Sequence, residues 1–108
     1  MLDQLWKSWG TTVIGPLHVK TGIPNQDSWM AHRYKWGNVV VVSDGLGSKA
    51  YSDHGSKAAC LAVFEAAKSY QNTPDANIVD ILRLIHANWL VKIAPYSSSD
   101  CSATCLFA

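Results

Sequence analysis

Glutamate is almost missing from this chain: of eight acidic residues only Glu65 is not an aspartate, so any carboxylate cluster for metal or acid/base chemistry must be built from Asp. An excess of either charge is missing too. Nine Lys and Arg against eight acids leave a formal charge of +1, too weak a field to draw in a phosphate backbone or anionic lipid, which argues against nucleic-acid and membrane partners. Long apolar runs are absent, the longest, at 39–42 and in the helical stretches, falling far short of the roughly 18 residues of a membrane span. The first residues carry no basic stretch followed by an apolar one, so the expected compartment is the cytoplasm. Cysteine is scarce and odd in number, Cys60, Cys101 and Cys105, which suits reduced thiols rather than a disulfide framework. If Cys101 and Cys105 lie on one strand they are roughly 13 Å apart, too far for one zinc ion; on a helix they would be neighbours.

What is present is apolar. With 48% hydrophobic and 16% charged residues the 108-residue chain has to bury a core, and its length allows no more than one domain. Residues 38–44, Asn-Val-Val-Val-Val-Ser-Asp, form a β-branched run with apolar side chains on both faces, as a strand between two layers requires. Residues 28–34 partly alternate, and Lys35-Trp36-Gly37-Asn38 supplies a turn, so the two segments predict an antiparallel hairpin. Further short strands are expected over 9–14 and around 18–20. A helix is predicted from Ser52 or Asp53 to about Tyr70, with a small-residue stripe at Ala58, Ala59, Ala62, Val63, Ala66 and Ala67 that would let it lie close to a sheet. A second is expected from Thr73-Pro74, burying Ile78, Ile81, Leu82, Ile85 and Trp89 until Pro95 stops it. Residues 101–108 read as a final inner strand. Such a strand needs neighbours on both sides, so residues 1–108 are expected to be the N-terminal part of one incomplete domain of α+β class.

The informative chemistry is Ser43-Asp44-Gly45-Leu46-Gly47-Ser48, a carboxylate at the end of a buried strand followed by glycines. A rigid strand would hold the carboxylate while Gly45 lets the backbone turn and bring its carbonyl near the same ligand, a mixture of oxygens suited to Mg2+ or Mn2+. The plain alternative is a turn closing the strand. In the hairpin register Asp27, from Gly22-Ile23-Pro24-Asn25-Gln26-Asp27, comes to the same rim as Asp44, and two converging carboxylates make a metal-site hypothesis. A dinucleotide fingerprint in Gly45-Leu46-Gly47-Ser48-Lys49-Ala50 fails, because Tyr51-Ser52 separate the glycines from the helix and Glu65 lies inside one. His54 and His86 read as surface or core histidines, Cys60 as core, and Ser56 lacks a paired base. Trp6, Trp9, Trp29, Trp36 and Trp89 read as core rather than a base-stacking platform, since no basic patch accompanies them.

Four motifs in order, Asn25-Gln26-Asp27-Ser28, Asp44-Gly45-Leu46-Gly47-Ser48, Ser52-Asp53-His54-Gly55-Ser56 and Asp100-Cys101-Ser102-Ala103-Thr104, resemble the protein phosphatase type 2C (PPM-type) family of metal-dependent Ser/Thr phosphatases over about residues 9 to 108. Gly15-Pro16-Leu17-His18 and Gly22-Ile23-Pro24-Asn25-Gln26-Asp27 bring the resemblance closest to bacterial members. It implies a four-layer αββα antiparallel β-sandwich flanked by helices, with two Mn2+ or Mg2+ ions at one end. Carried over by position, Asp44 would bridge the ions, Gly45 would offer its carbonyl, and Asp27 would hold metal-bound water; an activated hydroxide would attack the phosphomonoester of a phosphorylated protein, the partner of a cognate Ser/Thr kinase. The sequence departs from the family pattern in several places. Gly22 stands where a phosphate-gripping Arg is common, leaving His18 or Lys20 as substitutes; Gln26 replaces an acid; Leu46 replaces the general-acid histidine of eukaryotic members. The downstream Asp-Gly and Asp-Asn motifs of the metal shell are not among the 108 residues, so this chain alone is expected to be inactive or nearly so. The competing class is a non-catalytic phosphatase-like binding module.

Overall fold

The computed structural model describes residues 7–73 and 75–108. Its order is α1 (Pro16–Thr21), β1 (Asp27–Tyr34), β2 (Gly37–Asp44), α2 (Ser52–Tyr70), α3 (Ile78–Ile93), a single 3-10 turn (Ser99–Cys101) and β3 (Leu106–Phe107). The strands form one antiparallel sheet in the order β1-β2-β3. The predicted hairpin is there in the predicted register, running from Tyr34 opposite Gly37 to Asp27 opposite Asp44.

One face of the sheet makes the core. Val39 and Val41 pack against Cys60, Ala62, Val63 and Ala66 of α2, and Ile85 of α3 joins the same cluster. Small residues on α2 allow that approach, as their spacing predicts. Helix α2 lies close against the 3-10 turn where Gly55 has no side chain: a Cβ there would stand 1.8 Å from the Cys101 carbonyl oxygen. Trp89 of α3 uses the same spot, its indole Nε1 donating to the Gly55 carbonyl at 3.0 Å. A second small cluster, Ala58, Ile93 and Cys101, ties the ends of both helices to the 3-10 turn.

Several expectations are corrected. The described residues hold one sheet with a helical layer on one face; the second sheet and outer helices of a four-layer sandwich are not among them. Accordingly β2 is buried on one face only, Val41 at 1% exposure but Val42 at 54%. Residues 9–14 form no strand, because a Thr/Val-rich segment still needs an edge to pair with; instead Gly10 lies against the ring of Trp29 on the open face of the sheet. Residues 18–20 belong to α1, bracketed by Pro16 in its first turn and by Gly22, whose φ of 75° closes the helix in the left-handed conformation. Helix α3 starts after Asn77, whose side chain accepts from the Asp80 amide at 3.0 Å; Pro74, expected to open it, lies outside the described residues. Ile78 and Leu82 are exposed, and Ile93 is buried in their place. Trp9 is 87% exposed and Trp36 is also exposed, Trp29 and Trp89 are half-buried, and Trp6 lies outside the described residues. Small residues, not indoles, fill this core.

The last segment is also less regular than a single strand. Residues 99–101 make the 3-10 turn, Ala103 bridges Gly45, and only Leu106–Phe107 pair as a strand. Among the described residues no helix is long and apolar enough to cross a membrane.

Candidate metal centre at the sheet rim

Asp27 opens β1 and Asp44 ends β2, so antiparallel pairing makes them direct neighbours across the ladder. The pairing extends one step further, the Gly45 amide donating to the Gln26 carbonyl at 3.0 Å. Gly45 has no room for a side chain: a Cβ would sit 2.5 Å from the Gln26 carbonyl oxygen and 2.7 Å from that of Ser52. This close approach turns the backbone directly after Asp44. Behind the turn, Gln26 is 4% exposed, its Nε2 reaching the Lys49 carbonyl at 3.4 Å while its Oε1 is buried without a partner.

The two carboxyls are not electrostatically independent. A hydrogen bond that its protonated form can donate to Asp44 holds the Asp27 carboxyl above its ordinary range, with partial burial and the Asp44 charge acting the same way; the Gly45 backbone and His18 oppose them. Two carboxyls held as direct neighbours at a solvent-exposed rim are a place where a divalent cation can bind between them. The donors are all oxygen, which fits a hard ion such as Mg2+ or Mn2+ and not a thiolate or imidazole metal. Among the described residues no group of three or more His, Cys, Asp and Glu forms, so the rim contributes two carboxylates and a glycine turn.

Of the other residues singled out from the sequence, His18 on α1 is half-buried and acts on the charge of Asp27, whereas Lys20 is exposed on the same helix. His54 Nε2 lies 3.2 Å from the Lys92 carbonyl and its ring meets the Tyr96 edge, and His86 stacks near Trp89; neither joins the carboxylates in a larger group. The thiols are all free, and burial pushes that of Cys60 up to about 11, which makes it inert. Beside Asp44 opens a cleft of about 360 Å³ lined by Asp44, Gly45, Leu46, Gly47, Ser102, Ala103 and Thr104. Sequence reasoning gave Thr104 no role, although it sits in a quoted motif. Its hydroxyl accepts from the Asp44 amide at 3.0 Å, and only a register for residues 101–108 could have pointed to it.

The carboxyl pair has a pH signature. Asp27 binds its proton more tightly folded than unfolded, so the stability this adds is fully present below the unfolded value of about 3.9 and is lost as pH rises through the higher folded value. In metal-free buffer Asp27→Asn is therefore expected to melt higher than the parent protein at neutral pH, with a gap that narrows toward pH 4. Exposure and salt screening keep it below about 1 kcal/mol. Melting scans from pH 4 to 7 check this, and a gap that does not change with pH contradicts it.

Comparison with known proteins gives one match: the family model described as protein phosphatase 2C covers residues 14–108. No curated protein and no solved structure matches the chain.

Proposed function

Because this chain belongs to the protein phosphatase 2C family, we propose that it serves a protein serine/threonine phosphatase that hydrolyses phosphomonoesters with divalent metal. The observation that carries this reading is the direct pairing of Asp27 with Asp44 at the sheet rim. Asp44, Asp27 and the Gly45 carbonyl are the groups that would hold Mn2+ or Mg2+, the ions this family generally uses. When bound, such ions polarise a phosphoryl oxygen and lower the pKa of water. The chain's own part is to hold both carboxylates on a paired ladder, so that little reorganisation is left to the moment of binding.

A hard divalent ion takes six or more oxygen ligands, or octahedral geometry with retained water, and two carboxylates fill only part of a two-ion shell. We propose that the remaining ligands come from outside these 108 residues, and expect little turnover from them alone. His18, through its reach to the rim, is a candidate phosphate contact, with Lys20 a weaker one. Leu46 brings no proton donor to the cleft, so the leaving group is protonated by another residue or by solvent. The reading places the protein in the cytoplasm, acting on phosphorylated proteins opposite a Ser/Thr kinase.

The test is phosphate release from phosphoserine and phosphothreonine peptides by the complete catalytic domain with Mn2+, then with excess EDTA. Metal-dependent release that EDTA abolishes is expected. Release unaffected by EDTA, or none with Mn2+, overturns the proposal.

A further inference from the structure

The pairs Val41 with Phe107 and Val42 with Leu106 share one antiparallel register with the bridge between Gly45 and Ala103, which sets Asp44 opposite Thr104. At the other end of that register the ladder is complete: Val40 and Ala108 exchange both backbone bonds, each 3.0 Å. At Asp44 it is not. The Thr104 amide donates to the Asp44 carbonyl at 2.8 Å, but the return bond goes from the Asp44 amide to the Thr104 hydroxyl Oγ1, 3.0 Å away. The Thr104 carbonyl, which would ordinarily accept that bond, takes the buried Ser43 hydroxyl at 2.6 Å. The Thr104 Oγ1 also lies 3.4 Å from the Asp44 carbonyl, within reach of its own proton. One side chain thus replaces one of the pair's two ladder bonds at the point where β2 becomes the glycine turn.

That substitution matters because Asp44 stands where β2 turns, opposite Asp27 on the β1 side, so the aim of its carboxylate depends on how its main chain is held from both sides. The main-chain bonds to β1 hold one side of β2. On the other side the regular strand ends at Leu106; the Thr104 amide keeps one main-chain bond to Asp44, the Leu46 amide makes another to the Ser102 carbonyl at 2.9 Å, and between them the Thr104 and Ser43 hydroxyls supply the rest. A hydroxyl suits the place because it accepts with a lone pair and donates with its proton, so it can serve the amide and the carbonyl of one residue together.

We propose that Thr104 is the positioning residue of the metal centre: its hydroxyl clamps the main chain of Asp44 and so aims the Asp44 carboxylate at the ion. The inference rests on the reading of Asp44 as a metal ligand. Thr104 itself is assigned no contact with metal or substrate. Residues that orient a ligand from behind typically change metal affinity by ten- to a hundred-fold when altered.

Thr104→Val keeps the shape and removes the hydroxyl; Thr104→Ser keeps the hydroxyl and removes the methyl. Mn2+ affinity is measured by the paramagnetic signal of free Mn2+ for the parent, both variants and Asp44→Asn. The expected result is about ten-fold weaker binding for Thr104→Val, affinity within about two-fold of the parent for Thr104→Ser, and loss of the site in Asp44→Asn. A role in stability alone would lower the melting temperature of Thr104→Val and leave its Mn2+ affinity unchanged, and that outcome overturns the inference. Equal weakening in the serine and valine variants also overturns it. Should the valine variant fail to fold, the serine variant decides: parental affinity supports the clamp, and a ten-fold loss removes it. If Asp44→Asn itself binds Mn2+ as the parent does, the metal reading of Asp44 falls and the positioning role with it; parental affinity in Thr104→Val alone, with Asp44→Asn defective, removes only the clamp.

Discussion

In the full-length protein Asp44→Asn is expected to slow metal-dependent phosphopeptide hydrolysis by roughly a thousand-fold, with little change in melting temperature. The size follows from the several kcal/mol that a correctly held metal contributes to a phosphoryl transition state, at about 1.4 kcal/mol per factor of ten. The selectivity follows from where Asp44 sits. Its carboxyl is exposed at the end of β2, while its amide and carbonyl make the structural bonds, so an isosteric amide side chain leaves the ladder and the Thr104 contacts in place. Removing one charge also removes a carboxylate that stands directly opposite Asp27 across the ladder, and the folded state should not weaken. A rate within about three-fold of the parent would show that Asp44 holds no catalytic ion.

The largest effect on stability is expected from Gly55→Ala. In a helix interior alanine is ordinarily favoured over glycine by about 1 kcal/mol, so without a neighbour this change would stabilise α2. Here the new methyl would meet the carbonyl of Cys101, with its Cβ 1.8 Å from the oxygen and 2.7 Å from the carbon. That neighbour is backbone, part of the buried 3-10 turn, and cannot rotate aside as a side-chain tip would. The helix must move away, which disturbs the Trp89 bond to Gly55 and the cluster of Ala58, Ile93 and Cys101. Overpacking of this kind costs about 1–3 kcal/mol or more, a large share of the roughly 5–15 kcal/mol that holds a domain folded. At about 4–8 °C per kcal/mol the melting temperature should fall by some 10 °C or more. Displacement of residues 101–104 would also loosen the Asp44 clamp, so Mn2+ binding should weaken in whatever protein remains folded. An unchanged or higher melting temperature contradicts this account of the packing.

The central parts of this architecture could be read directly from the residues. The β-branched run of β2, the partial alternation of β1 and the Gly/Asn turn between them set a register, and the register alone put Asp27 beside Asp44. The small-residue stripe of α2 likewise announced a helix lying close to a sheet, and Ala62, Val63 and Ala66 are buried where it does. Other features depend on neighbours that periodicity does not encode. The pattern of β2 reads as apolar on both faces, but Val40 and Val42 are exposed among the described residues because only one face carries a helical layer. Residues around 18–20 read as strand; Pro16 and Gly22 make them part of a helix by setting backbone angles at its two ends. The role of Thr104 was hidden for a subtler reason. A strand pattern tells which residue faces which, and it does not tell that a hydroxyl takes the place of a carbonyl as the acceptor of a ladder bond.

The most direct test of the metal centre is a residue-resolved one: sub-stoichiometric Mn2+ added to the isotopically labelled 108-residue chain, with paramagnetic broadening of each amide signal followed by NMR. It detects weak binding and requires no turnover. Broadening centred on Asp27, Asp44 and Gly45, extending to Gly47 and to residues 102–104, and lost in Asp44→Asn, is the predicted result. Broadening centred elsewhere, or undiminished in Asp44→Asn, would contradict the assignment of the sheet rim as the metal centre.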